Sequence, residues 1–276
     1  MIMARWCSRH GEQMRGGWMA GRLAQIAPGV LVATSEIFTT TTTVVVSPGG
    51  GCLVVDPAVT VADLAPLAAE LAERGLRPRA GFSTHPHWDH VLWHAALGDV
   101  PRYASPRAVQ VALRERDALM AAAGEDAPGH DPALFGRLVP LPGGATEIPW
   151  DGPAAQVVIH DGHAPGHTAL FLPDTGTLIA GDMLSDIEIP LLDLAGPDPA
   201  GDYRAGLERL AALPGVRRVV PGHGHACGAA EFRRRVSADL RYLDRLALGE
   251  PFGDARLTQD WLRRDHHAQV RHAAGG

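Results

Sequence analysis

An apolar run ending at Phe82 leads the chain straight into Thr84-His85-Pro86-His87-Trp88-Asp89-His90, so that three imidazoles and one carboxylate fall within residues 85–90. Imidazole suits zinc, iron and copper, and a carboxylate adds a harder oxygen that also holds a proton, so one His-x-His-x-Asp-His loop can feed two adjacent cations. A polar loop with a chance histidine cluster is the bland alternative. Four such groups at this density favour the metal. One loop supplies only part of two coordination spheres, however, so the fold must bring other strand ends to it.

Three further segments are candidates to complete the set. His167 stands in Ala-Pro-Gly-His-Thr, Asp182 in Ala-Gly-Asp and His223 in Pro-Gly-His-Gly. Each follows or ends a short β-like run, and loops on a rigid scaffold are where chemistry gathers. Residues 169–172 and 177–180 are apolar runs separated by Pro173-Asp174-Thr175-Gly176, a hairpin turn signal. Folding the chain back about the Asp174–Thr175 bond sets His167 beside Asp182, because both lie equally far from that bond. A bulge at Gly176 would shift this by one residue, so the argument gives a neighbourhood and no atoms.

His85, His87, Asp89, His90, His167, Asp182 and His223 stand in the order and context of the metallo-β-lactamase superfamily, which the chain resembles over about residues 25–245. The resemblance implies an α/β (α+β) fold, a four-layer αββα sandwich of two similar halves, with a dinuclear metal site at one edge of its two sheets. It further implies that His85, His87 and His167 bind the first metal, that Asp89, His90 and His223 bind the second, and that Asp182 bridges them. Two zinc ions per chain are the expected cofactor, with iron or manganese as alternatives. Two cations about 3.5–4 Å apart can share a water, lower its pKa toward about 7 and present hydroxide to a carbonyl or phosphoryl centre. Asp89 is the candidate catalytic residue, a proton shuttle to the leaving group. A carboxylate at position 182 separates this chain from the thiolate-containing lactamases, since Cys7, Cys52 and Cys227 fall elsewhere.

With 276 residues, 46% hydrophobic and 20% charged, the chain can build one large core. Its divisions read as a mobile leader over 1–20, a hydrolase domain over 21–250 and a tail over 251–276 that packs on the domain or frays. A formal net charge of -6 argues against a nucleic-acid partner. No lysine occurs, so every fixed side-chain cation is arginine, and Arg217-Arg218 and Arg233-Arg234-Arg235 read as solvated charge. Three widely spaced cysteines fit a reducing compartment. No sustained apolar segment marks a signal peptide or membrane span, which makes the cytoplasm the default location. A small-molecule substrate and a monomeric or homodimeric state are expected.

Local patterning predicts strands over 30–34, 40–47 and 52–56, a helix over 61–74 closed by Gly75, and a strand over 80–83 that delivers the histidine loop. Farther on it predicts a helix over 106–123, a loop over 124–136, strands over 138–148 and 156–160, a helix over 203–213, a strand over 216–220 and a long helix over 229–248. His94, His160, His163 and His225 lie near the motif residues and are candidates to orient a ligand or touch substrate. Trp88 is expected to pack beneath the metals. Residues 183–202 carry Ile187, Ile189, Leu191, Leu192 and Leu194 among Pro, Gly and Asp, and read as a mobile apolar flap.

An apolar wall over a water-activating centre suits a small acyl substrate: a lactone, ester or thioester. A β-lactam hydrolase and a phosphodiesterase use the same chemistry, and a mononuclear iron sulfur dioxygenase uses the same ligand types. Where the family's thioesterase and lactonase branches often place small residues after the histidine loop, Val91-Leu92-Trp93-His94 stands here, and the basic residues that grip glutathione are not evident.

Overall fold

The computed structural model describes residues 23–249 and 252–275, so the expected leader and Cys7 lie outside the described residues. Strands β1 (Ala24–Ala27), β2 (Val30–Thr34), β3 (Thr41–Val46) and β4 (Gly51–Val55) form an antiparallel meander. Helix α1 (Val61–Glu73) crosses over to the parallel strand β5 (Arg77–Phe82). Then come β6 (Arg102–Ala104), helices α2 (Pro106–Arg114) and α3 (Arg116–Asp126), and β7 (Val139–Pro140), which complete a seven-stranded sheet in chain order. The second sheet holds β8 (Gln156–Ile159), β9 (Thr168–Leu172), β10 (Thr177–Gly181), β11 (Arg218–Pro221) and β12 (Cys227–Gly228) in the order β12-β11-β10-β9-β8. Helix α4 (Pro199–Ala211) makes the crossover from β10 to β11; α5 (Ala229–Leu246) and α6 (Asp260–Gly275) follow.

Burial on both faces explains the layering. In β4, Cys52, Leu53, Val54 and Val55 are all fully buried. Cys52 and Val54 join Leu64, Leu67 and Leu71 of α1 in one outer core, while Leu53 and Val55 meet Leu170, Leu172 and Ile179 of the other sheet. Ala169 and Phe171 point the opposite way from Leu170 and pack with Leu207, Leu210 and Phe232 of α4 and α5. Strands covered twice read as unbroken apolar runs, as these do, and the result is the αββα sandwich. Among the described residues no helix is long and apolar enough to cross a membrane.

Helix α1 starts at a capping box, with the Thr60 hydroxyl accepting from Asp63 N and the Asp63 carboxylate accepting from Thr60 N, both at 3.0 Å. Its buried face is Leu64, Leu67, Ala68 and Leu71, the residues whose spacing marks a helix. Three expectations change. The helix expected over 106–123 breaks at Glu115 within the charged run Arg114–Asp117, which offers no apolar side chain to carry one buried face through. Of residues 138–148 only Val139–Pro140 forms a strand. And the segment expected to be a flap buries Met183, Leu184, Ile189 and Leu191 in the outer core of the second sheet. That packing supplies an anchored wall beside the strand ends.

Candidate metal centre

The two sheets touch along one edge, and that contact assembles the site. Thr41 N at the start of β3 donates to Gly222 O just past β11 at 2.7 Å, and Thr168 N of β9 donates to Thr84 O just past β5 at 2.8 Å. His85, His87, Asp89 and His90 leave the end of β5, Asp182 leaves β10 and His223 leaves the end of β11. The hairpin register is Thr177 with Leu172, Leu178 with Phe171 and Ile179 with Leu170; continued past the ladder it sets His167 near Asp182, while β10 carries an irregularity against β11 between Ile179 and Gly181.

Seven side chains converge in two groups. His85, His87, His163 and Asp182 form one, and Asp89, His90 and His223 the other, with the donor atoms of each group within 4.8 Å of one another. In the first, His85 Nε2 lies 3.0 Å from His87 Nδ1 and 3.4 Å from Asp182 Oδ2, and His163 Nε2 lies 3.1 Å and 3.4 Å from the same two atoms. In the second, Asp89 Oδ2 stands 3.4 Å from His90 Nε2 and 3.3 Å from His223 Nε2. Asp182 belongs to both, since its Oδ1 is 3.2 Å from His90 Nε2 and its Oδ2 3.1 Å from His223 Nε2.

The outer ring nitrogens are committed elsewhere. His163 Nδ1 donates to Leu191 O at 2.9 Å and His223 Nδ1 to Phe38 O at 3.1 Å, because a carbonyl can only accept. Thr84 Oγ1 donates to Asp56 Oδ2 at 2.7 Å, which leaves its lone pairs for His85 Nδ1 at 3.0 Å. The same Asp56 Oδ2 lies 3.1 Å from His90 Nδ1. The inner nitrogens therefore face one another and two carboxylates with nothing of opposite kind to satisfy them all. Nitrogens about 2.0–2.1 Å from a tetrahedral zinc would stand about 3.3–3.4 Å apart, close to the separations seen here, so the donor set fits metal.

The charges of these groups agree with that fit. Burial opposes ionisation of Asp182, but His223, His90 and His85 outweigh it and hold its carboxyl well below the usual range. Burial likewise works against charge on His90 and His223, yet Asp182 and the neighbouring carboxylates carry both well above the usual histidine range. His85, by contrast, is pushed by burial and by His90 down to about 4. Protons on His90 and His223 thus supply positive charge that a bound cation would displace.

His167 stands outside both groups. Register opposite Asp182 puts its ring against that residue's backbone, where its Nε2 accepts from Asp182 N at 3.1 Å. The ring stacks between His85 and His160, and its Nδ1 is buried without a partner. The place expected for it in the first group is taken by His163, four residues earlier on the loop that reaches past the sheet edge. Position in the loop was the available signal: a side chain meeting the Asp182 carboxylate must come from beyond the ladder.

Trp88 packs in the outer core, edge-on to Phe38. His225 is exposed and holds Asp186 at 2.9 Å, and His94 caps a turn through Ala96 N. Unforeseen were Asp56 at the end of β4, Thr40, whose hydroxyl lies 3.2 Å from His223 Nδ1, and Glu188, whose buried carboxyl burial pushes up to about 7.

A family model described as the metallo-beta-lactamase superfamily matches residues 37–223. The chain belongs to the metallo-beta-lactamase superfamily. Within it, a hydroxyacylglutathione hydrolase of Synechococcus sp. (strain JA-3-3Ab) is 33% identical over 235 residues, covering 80% of this chain and 82% of that protein. TTHA1623, solved in a di-iron-bound form, is 31% identical with a TM-score of 0.58 over 73% of this chain and 96% of that one. A beta-lactamase domain protein from Burkholderia ambifaria shares the fold at 20% identity, with a TM-score of 0.66 over 94% of this superfamily member and 88% of its own chain.

Proposed function

We propose that this chain is a two-metal hydrolase of a small acyl thioester. The observation that carries the reading is the division of seven convergent donors into two groups that share Asp182. His85, His87 and His163 would hold one cation and Asp89, His90 and His223 the other, with Asp182 between them. Two cations supply Lewis acidity and make a bound water acidic enough to react near neutral pH. The Asp89 carboxylate is only 6% exposed; burial opposes its charge, but His90 and His223 keep it ionised, ready to accept a proton at the site. Beside these donors the buried Leu191 offers its carbonyl to His163 Nδ1 at 2.9 Å.

Support for a thioester comes from the relative named hydroxyacylglutathione hydrolase, and zinc or iron suits these ligands, the di-iron form of TTHA1623 favouring a trial of iron. Two donor groups favour two cations over a mononuclear iron dioxygenase. The test is thiol release from S-lactoylglutathione, alongside acyl-coenzyme A, lactone, β-lactam and phosphodiester substrates, by metal-stripped protein reloaded with zinc or iron. Metal-dependent thioester cleavage is expected. Faster phosphodiester cleavage, or oxygen uptake with a persulfide, would overturn the reading. In parallel, His163→Ala should lose a bound metal while His167→Ala keeps two.

A further inference from the structure

The C-terminal helix reaches the candidate metal centre through one peptide group. Leu191 C=O and Leu192 N–H belong to the same peptide, and each faces a different partner: the carbonyl accepts from His163 Nδ1 at 2.9 Å, and the N–H donates to Gln269 Oε1 at 2.8 Å. Gln269 Nε2 then donates to the Tyr242 hydroxyl at 2.8 Å, Tyr242 lies 3.0 Å from His266 Nδ1, and His266 Nε2 lies 2.8 Å from Phe252 O.

Donor and acceptor roles in this chain are forced from its far end. Phe252 O can only accept, so His266 Nε2 carries the proton and Nδ1 is bare. Burial lowers His266 below the usual histidine range, against the pull of the Phe252 carbonyl, which keeps the ring neutral. Tyr242 must therefore donate to His266, leaving its oxygen to accept from the Gln269 amide. That turns Gln269 Oε1 toward Leu192 N–H. At the near end, Leu191 O fixes the proton of His163 on Nδ1 and leaves the Nε2 lone pair facing Asp182 and His87. Gln269, Tyr242 and His266 are 2%, 2% and 3% exposed, so no solvent competes for these bonds.

We propose that Gln269 is a positioning residue for the metal centre, holding the Leu191–Leu192 peptide so that His163 keeps one tautomer and one ring plane. The proposal rests on the reading of His163 as a metal ligand. Hydrogen-bond partners behind a ligating imidazole commonly set its affinity by about 10–100-fold when removed.

The test is calorimetric titration of zinc into metal-stripped full-length protein, wild type against Gln269→Leu, with thermal unfolding of the metal-free forms recorded alongside. A loss of about 10–100-fold at one of two zinc positions, the other unchanged, is the expected result. Long-range nitrogen–proton spectra should show the His163 tautomer mixed in the variant and single in the wild type. Should Gln269→Leu not fold, Tyr242→Phe, which keeps the Gln269 acceptor but frees its far end, replaces it, with a smaller loss expected at the same position. Unchanged affinity at both positions, or an equal loss at both, would overturn the positioning role and leave the two-metal reading standing. Wild-type protein that binds no zinc or iron would overturn both.

Discussion

Gly222 has no side chain because Asp182 occupies the space one would need. A methyl group there would overlap Asp182 Oδ1 and stand 3.0 Å from the Gly181 carbonyl carbon and 3.1 Å from His90 Cε1. The backbone cannot yield, since Gly222 N donates to Gly181 O at 2.6 Å and Gly222 O accepts from Thr41 N at 2.7 Å. The Asp182 carboxylate must swing instead. Forcing it off its rotamer costs about 0.5–1.5 kcal/mol, and crowding against Gly181 and His90 brings the total to about 1–3 kcal/mol. At roughly 2–4 °C per kcal/mol for a chain of this size, Gly222→Ala should lower Tm by about 2–12 °C and leave a folded protein. Metal binding should suffer far more. Asp182 is the one residue common to both donor groups, so a shift of its oxygens takes a ligand from each, and both zinc affinities should fall by at least about a hundredfold. Gly215→Ala is the control: its φ of 73° makes alanine strained, but nothing lies within 4 Å of the added carbon, so stability should drop while zinc binding holds. Calorimetric zinc titration and thermal unfolding read both quantities. A Gly222→Ala protein that binds two zinc ions as tightly as wild type would refute the placement of Asp182 between the groups.

Acid sensitivity should trace partly to His160, which burial pushes down to about 4. A histidine whose folded pKa lies below its unfolded value of 6.5 stabilises fully above 6.5 and loses that stability as pH falls toward about 4; between pH 7.5 and 5 the loss is about 2 kcal/mol. Urea unfolding at the two pH values should show His160→Gln losing about that much less than wild type, and equal losses would remove His160 from the account. Thr60→Ala deletes the cap of α1 and should cost about 0.5–2 kcal/mol in the same assay with zinc binding untouched. Asp89→Asn should fold normally yet lose at least about a hundredfold in turnover and weaken zinc in the His90–His223 group, so full activity would end the proton role given to Asp89.

What could be read from the chain alone was whatever local order controls. The strands buried on both faces announced themselves as continuous apolar runs, and the capped, periodic stretch before Gly75 announced α1. Register was legible too, because a turn centred on the Asp174–Thr175 bond leaves one way to pair its flanks. Beyond that point the reading needed distances. Two histidines, His163 and His167, flank the same Ala-Pro-Gly, and nothing in their order says which one clears the sheet edge. The fold that brings His167 to Asp182 sets its ring against that residue's backbone N–H, whereas the carboxylate projects past the strand end. Asp56 and Thr40 were invisible for a related reason, since each is an ordinary strand-end residue until a distant imidazole is placed beside it.

Residues 183–202, expected as a mobile flap, are packed for a related reason. Apolar residues spaced among Pro, Gly and Asp lack the period of a helix or strand, so the segment looked unanchored. Its anchors are elsewhere in the chain. His163 takes the carbonyl of the Leu191–Leu192 peptide and Gln269 takes its N–H, while Ile189 and Leu191 sink into the core beneath α5. A wall built this way does two jobs with one set of contacts, since the peptide that lines the site also orients an imidazole within it. Any substitution that loosens α6 from α5 should therefore register at the metal centre before it registers in the fold, and the distance between those two effects measures how tightly the C-terminal helix governs the site.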